Sequence, residues 1–203
     1  RYMDLLFGKE RKTPLPGAQS SPSSNHQQAL AEDATLSHIH DQFATRKGYN
    51  PHEYRWGDGM ASILDFRLCA DNAPYPSFIT SGQTISLDIA IRFHTDLIHP
   101  ILGITIKTKE GITVYGANSQ TLQVDRFKNS GKKDTTVIAH AVFTCHLAPG
   151  DYFISLGIAT QCNAEIIPHD RRYDAIHLHL LPVTTFFGVC NLDLEMTAEE
   201  ATT

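Results

Sequence analysis

The stretch Thr84–Phe93 constrains this chain more than any other, because Ile85, Leu87, Ile89, Ile91 and Phe93 alternate strictly with Thr84, Ser86, Asp88, Ala90 and Arg92. Successive side chains of an extended strand point to opposite faces, so a period of two predicts a strand with one face in a core and the other in water. Comparable runs occur at 62–68, 101–108, 112–115, 137–147, 152–160, 176–183 and 188–195. Lys109-Glu110-Gly111 reads as a tight hairpin turn between two of these runs, and Pro149-Gly150-Asp151 as a second. Short strands at this spacing, with no helical period between them, predict an all-β fold. The expected architecture is an antiparallel β-sandwich, immunoglobulin-like or jelly roll. Parallel βαβ units have nowhere to fit.

The rest of the chain frames that domain. Tyr2, Leu5 and Leu6 at helical spacing, followed by Gly8, predict the end of a helix whose start is missing, and Arg1 in place of a Met reads as a piece of something longer. Residues 11–35 are rich in Pro, Ser, Gln and Ala and are expected to be a flexible linker, since such a segment buries too little apolar surface to offset its ordering entropy. A further helix, with sparse apolar positions, is expected over 29–45. The domain division expected is therefore 1–50 for a helix end plus tail and 51–203 for the sandwich. A formal net charge of -5 gives no basic field to gather phosphates, which excludes nucleic acid as a partner. No run of about 18 apolar residues and no signal-peptide pattern is present. Four cysteines lie far apart without CxxC spacing, as expected of free thiols in a reducing compartment and mostly buried in the core.

Few residues form patterns that catalysis could use. Ser130-Gly131-Lys132-Lys133-Asp134 lacks the upstream Gly of a phosphate-binding loop and reads as a solvated turn. No GxSxG elbow occurs, so a serine hydrolase has no anchor. Histidine is the enriched resource, with eleven copies. His177 and His179, two apart on an expected strand, should share a face, where they could be polar surface or the start of a cupin-like metal site. The cupin pattern continues with a Glu, and 180–187 has no acidic residue. His38 and His40 share the spacing but fall before the domain.

A pyranose presents an apolar C–H face and a rim of hydroxyls, so a sugar receptor needs an exposed aromatic plate beside paired donors and acceptors. Tyr54, Arg55 and Trp56 cluster before the first strand, and Tyr115 and Asn118 lie at the end of another. Trp56 can serve as such a plate or as a plug over the end of the sandwich, and Tyr115 can face core or solvent. The polar run 169–174, His-Asp-Arg-Arg-Tyr-Asp, is expected to be a solvated loop with the chemistry of a sugar site.

Several of these pieces resemble one family in order and spacing: Arg55-Trp56-Gly57-Asp58-Gly59 ahead of the first strand, Ser81-Gly82-Gln83-Thr84, 100–103 with the Lys109-Glu110-Gly111 turn, Val114-Tyr115-Gly116-Ala117-Asn118, Leu147-Ala148-Pro149-Gly150-Asp151-Tyr152 and a terminal strand opening at Gly188. Together they resemble the C-terminal domain of Wzt-type proteins, the ATP-binding subunits of ABC transporters that export O-antigen. The resemblance implies a non-catalytic domain that recognises the finished end of an O-polysaccharide in the cytoplasm and licenses its export through a membrane permease. It also implies a homodimer and no cofactor in this chain, ATP and Mg belonging to the missing ATPase domain; an edge strand at 188–195 has unpaired backbone groups that could pair across the subunits. The family pattern does not supply binding residues. Exposure and chemistry nominate Arg92, His94, His177 and His179 on an outward sheet face, with Arg171 and Tyr173 from the adjoining loop and Trp56 and Tyr115 as aromatic plates. The competing readings are a metal enzyme using His177 and His179, and a pure dimerisation module.

Overall fold

In a computed structural model of the protein the described residues are 35–129, 131–163, 165–183 and 186–200. They carry strands β1 (Tyr54–Trp56), β2 (Ala61–Ala70), β3 (Ala73–Pro74), β4 (Ile79–Thr80), β5 (Thr84–Phe93), β6 (Ile101–Thr108), β7 (Thr113–Asn118), β8 (Thr136–Thr144), β9 (Gly150–Cys162) and β10 (Glu165–Leu181), with one short helix, α1 (Asp125–Lys128). The larger sheet has the order β1-β10-β9-β6-β7, with β4 pairing β10; the smaller has the order β3-β2-β5-β8. Every pairing is antiparallel except the two-residue contact of β4 with β10.

The core follows from the alternation. Ile85, Leu87, Ile89, Ile91 and Phe93 of β5 are all buried, and they meet Tyr152, Ile154, Leu156 and Ile158 of β9 and Ile176, Leu178 and Leu180 of β10 in one cluster between the sheets. Apolar burial of this kind contributes about 25 cal/mol per Å², so the facing rows hold the two layers together. The expected all-β antiparallel sandwich is the fold observed.

Four local expectations differ from the structure. The run 169–174 is not a loop: it lies inside β10, with His169, Asp170 and Arg172 buried. Partners from other segments neutralise these side chains, so tertiary pairing overrides a polar local composition. The turn at Pro149-Gly150-Asp151 is not a hairpin, because β8 and β9 lie in different sheets and 145–149 crosses between them. Residues 35–45 form no α-helix; only a 3-10 turn at Phe43–Thr45 appears, and Phe43 is fully buried in the sandwich core. The segment 188–195 is not a strand. It contributes one bridge, Leu147 with Cys190, while Leu192 and Leu194 are exposed. The helix end and most of the linker expected before residue 35 lie outside the described residues.

The cysteines are free, but only Cys145 is buried; Cys162 and Cys190 are exposed. The described part of the chain falls within a unit spanning 33–203, so the segment that leads into β1 belongs to the sandwich.

Candidate functional site

The motif at 55–59 locks β1 to β10. Arg55 forks onto Asp170 through Nε and Nη2 (2.9 and 2.8 Å) and reaches Asp41 through Nη1 (2.6 Å). The bond to Asp170 comes first among the influences that raise the Arg55 pKa. Asp170 also accepts the Ile63 amide, tying the two sheets together. Gly57 is required because a Cβ there would overlap the His169 carbonyl. Asp58 accepts from His169 Nδ1 (2.9 Å), and the other ring nitrogen of His169 meets Thr160 Oγ1 (3.0 Å). Burial is the largest influence on Asp58 and acts upward, but the bonds from the Met60 amide and His169 together leave its carboxyl below its ordinary value.

That lock sets a row of residues across the outer face of the larger sheet. Register places Trp56 beside Arg171, Arg171 beside Gly157, Gly157 beside Gly103 and Gly103 beside Asn118. Leu156 and Ile158 point into the core, so Gly157 and its row face outward. Strands lie about 4.8 Å apart, so this row is roughly 19 Å long. Its middle has no side chains. Trp56 is 43% exposed at one end, and the Arg171 side chain lies on Gly157, where a Cβ would meet its Cδ at 2.8 Å.

The neighbouring rows are aromatic and basic. Tyr54 and Tyr173 stack with centroids 6.3 Å apart, and Lys107 Nζ sits 5.3 Å from the Tyr173 ring. Further along, His177 stacks on Phe153 (5.1 Å). A notch of about 410 Å³ borders this corner, lined by Lys47, Tyr75, Ser77, Ile79, His177 and His179.

His177 and His179 share a face, as their spacing requires. A carboxylate only accepts, so His177 Nε2 and His179 Nδ1 both donate to Asp151 Oδ1 (2.8 and 3.0 Å). The converging nitrogens are committed to that oxygen, and among the described residues no group of three His, Cys, Asp or Glu is arranged to hold a metal ion. The cupin-like alternative is not favoured. The bonds from His179, then His177, hold the Asp151 carboxyl below the usual carboxylate range. A carboxyl depressed in the folded state contributes stability that is present above the unfolded value near 4 and is lost as pH falls through the folded value. Asp151→Asn is therefore expected to shallow the decline of unfolding free energy below about pH 4, measured by urea titration across pH. An acid limb identical to that of the parent chain would refute this.

The structure splits the expected site. Trp56, Arg171, Tyr173, His177 and His179 lie together on the outer face of the larger sheet. Arg92 and His94 belong to the smaller sheet, where Arg92 approaches Asp134 (3.5 Å) and His94 Nε2 meets Ser62 Oγ (2.9 Å). Those two residues do not share a face with His177. Tyr115 is 56% exposed, but it is registered with the core residue Ile106, off the outward rows. The glycine floor, Lys107 and Asp151 escaped sequence reasoning. Gly157 inside an apolar run was the one signal that could have pointed there, since glycine within a strand often marks a close approach.

No curated protein sequence matches the chain. The family model for the Wzt C-terminal domain matches residues 52–192. A solved structure described as the crystal structure of the C-terminal domain of wzt is 33% identical, covers 79% of this chain and 97% of its own, and superposes with a TM-score of 0.74. The chain therefore belongs to the Wzt C-terminal domain family.

Proposed function

We propose that this domain recognises O-antigen polysaccharide, its completed terminus, for export by an ABC transporter, without making or breaking bonds. The observation that carries the reading is the outward row in which a half-exposed Trp56 stands beside Arg171, whose side chain lies across Gly157 and leaves the floor at Gly103 bare. An indole plate answers the C–H face of a pyranose, and a floor without side chains lets a sugar ring approach the backbone. His177 and His179, each with one nitrogen committed to Asp151, offer the other to a hydroxyl when neutral.

In this reading the domain works as a homodimer on the cytoplasmic face of the inner membrane. An ATPase domain handles ATP and Mg, a permease forms the path, and two weak sites on one transporter supply avidity. Among the described residues no helix is long and apolar enough to cross a membrane. A pure dimerisation module would not need an exposed aromatic plate in line with a bare stretch of sheet.

Trp56 is the sole tryptophan of the chain, so its fluorescence reports on the site directly. Titration with O-polysaccharide from the source cells should quench or shift that emission saturably, and polysaccharide of a different repeat should not. Trp56→Ala, followed by calorimetry, should weaken binding by at least about tenfold, the scale expected of an aromatic anchor. Equal affinity for cognate and foreign polymers would sink the recognition reading.

A further inference from the structure

We infer that the polysaccharide carries an anionic substituent, a carboxylate or a phosphate, and that Arg171 is the residue that reads it. The inference rests on the reading of the outer face as a glycan site and adds the chemical class of what is bound. Its basis is a contrast among arginines. Arg55 is forked onto Asp170, Arg172 onto Glu53, and Arg46 and Arg67 onto Asp65 and Asp88; even the outlying Arg92 approaches Asp134. The guanidinium of Arg171 makes no hydrogen bond or ion pair with any described residue, and its Nε is buried without a partner.

A buried donor left unsatisfied is costly, and more so when charged. That cost is tolerated where a ligand supplies the missing acceptor. The position fits this account. The Arg171 side chain is pressed onto Gly157, with Nε and Nη1 at 3.3 and 3.4 Å from where a Cβ would stand, so the absence of that Cβ is what lets the fork lie flat on the sheet. Beyond it, a Cβ on Gly103 would meet nothing nearer than the Gly157 carbonyl at 3.9 Å, leaving open floor in front of the guanidinium. A planar fork with free donors pairs best with a carboxylate or phosphate, which accepts two parallel hydrogen bonds.

Several neighbouring charges are already paired. Lys107 lies 3.7 Å from Asp174, and Asp151 holds His177 and His179. Among the described residues Arg171 is thus the cation of the row from Trp56 to Asn118, and no acid is paired with it.

The test uses the chain with O-polysaccharide purified from the source cells in three forms: untreated, carboxyl-reduced with carbodiimide and borohydride, and dephosphorylated with cold aqueous hydrogen fluoride. Binding is followed by Trp56 fluorescence and calorimetry. The expected result is a loss of at least about tenfold with one treatment, which identifies carboxylate or phosphate as the source, and none with the other. Arg171→Gln should lose as much with untreated polymer and nothing further with the treated one, and its unfolding midpoint should not fall. If both treated polymers bind like the untreated polymer, the anion inference is overturned while polysaccharide recognition stands. If untreated polymer fails to bind the parent chain, the recognition reading fails first, and the inference with it. Lysine at the same position separates charge from geometry: Arg171→Lys should recover only part of the affinity.

Discussion

Arg172→Ala is expected to destabilise the domain by about 3–5 kcal/mol, the cost of breaking a buried ion pair from one side. Arg172 is 2% exposed on the inward row of β10, where the alternation calls for an apolar residue. It forks onto Glu53 through Nε and Nη2 (3.0 and 2.6 Å), donates to the Ile63 carbonyl (2.9 Å), and lies with Cζ 3.7 Å from the centre of the Phe43 ring. Truncation leaves the Glu53 carboxylate with the Tyr49 hydroxyl in place of a charged partner, takes a donor from the Ile63 carbonyl, and removes the packing against Phe43. Urea unfolding of the single variants Arg172→Met and Glu53→Gln and of the double variant gives the coupling. The double variant should lose less than the sum of the singles, by 0.5–3 kcal/mol on the usual scale for contacting groups. Additive losses would mean that the pair is not a unit.

Phe43→Ala should cost about 3–5 kcal/mol, as do other large-to-small changes of a buried aromatic residue. Phe43 is fully buried, 4.5 Å from Phe66 and 6.1 Å from Tyr49 between ring centroids. It precedes the stretch 52–192 that the family model matches. The same segment supplies Arg46 to Asp65 and Asp41 to Arg55. A chain that begins at residue 52 would therefore lose Phe43 together with both ion pairs, and it should unfold at lower urea than the point variant. Equal stability of that shortened chain and the full one would show that the segment is dispensable to the fold.

Period-two alternation made β5 and the strands around it legible, because burying one face of a strand is a local rule written into every second residue. The hairpin between β6 and β7 was legible in Lys109-Glu110-Gly111 for the same reason, turn chemistry being local. The resemblance carried by 55–59 and the later pieces placed the chain in its family. What periodicity misread were the charged residues of β10. His169, Asp170 and Arg172 look like a solvated loop until Asp58, Arg55 and Glu53 are brought to them from more than a hundred positions away. Composition cannot show that a buried charge is compensated, since compensation belongs to the pair.

The candidate site divides along the same line. That His177 and His179 share a face, and that an exposed aromatic lies near Arg55, could be read from spacing. The separation of Arg92 and His94 from them could not, because some consecutive strands share a sheet and others cross between sheets, and local period says nothing about which sheet a strand joins. Register did the rest. The irregularity between Pro168 and Asp170 in the pairing of β10 with β9 sets Arg171 against Gly157, and the β9–β6 pairing sets Gly157 against Gly103. A shift of one residue would have turned each of these side chains to the other face. The residues alone determine a two-layered sheet protein of this family; long-range pairing, which depends on every strand at once, determines where its outer face is bare, where it is charged, and that Arg171 is left without a partner among the described residues.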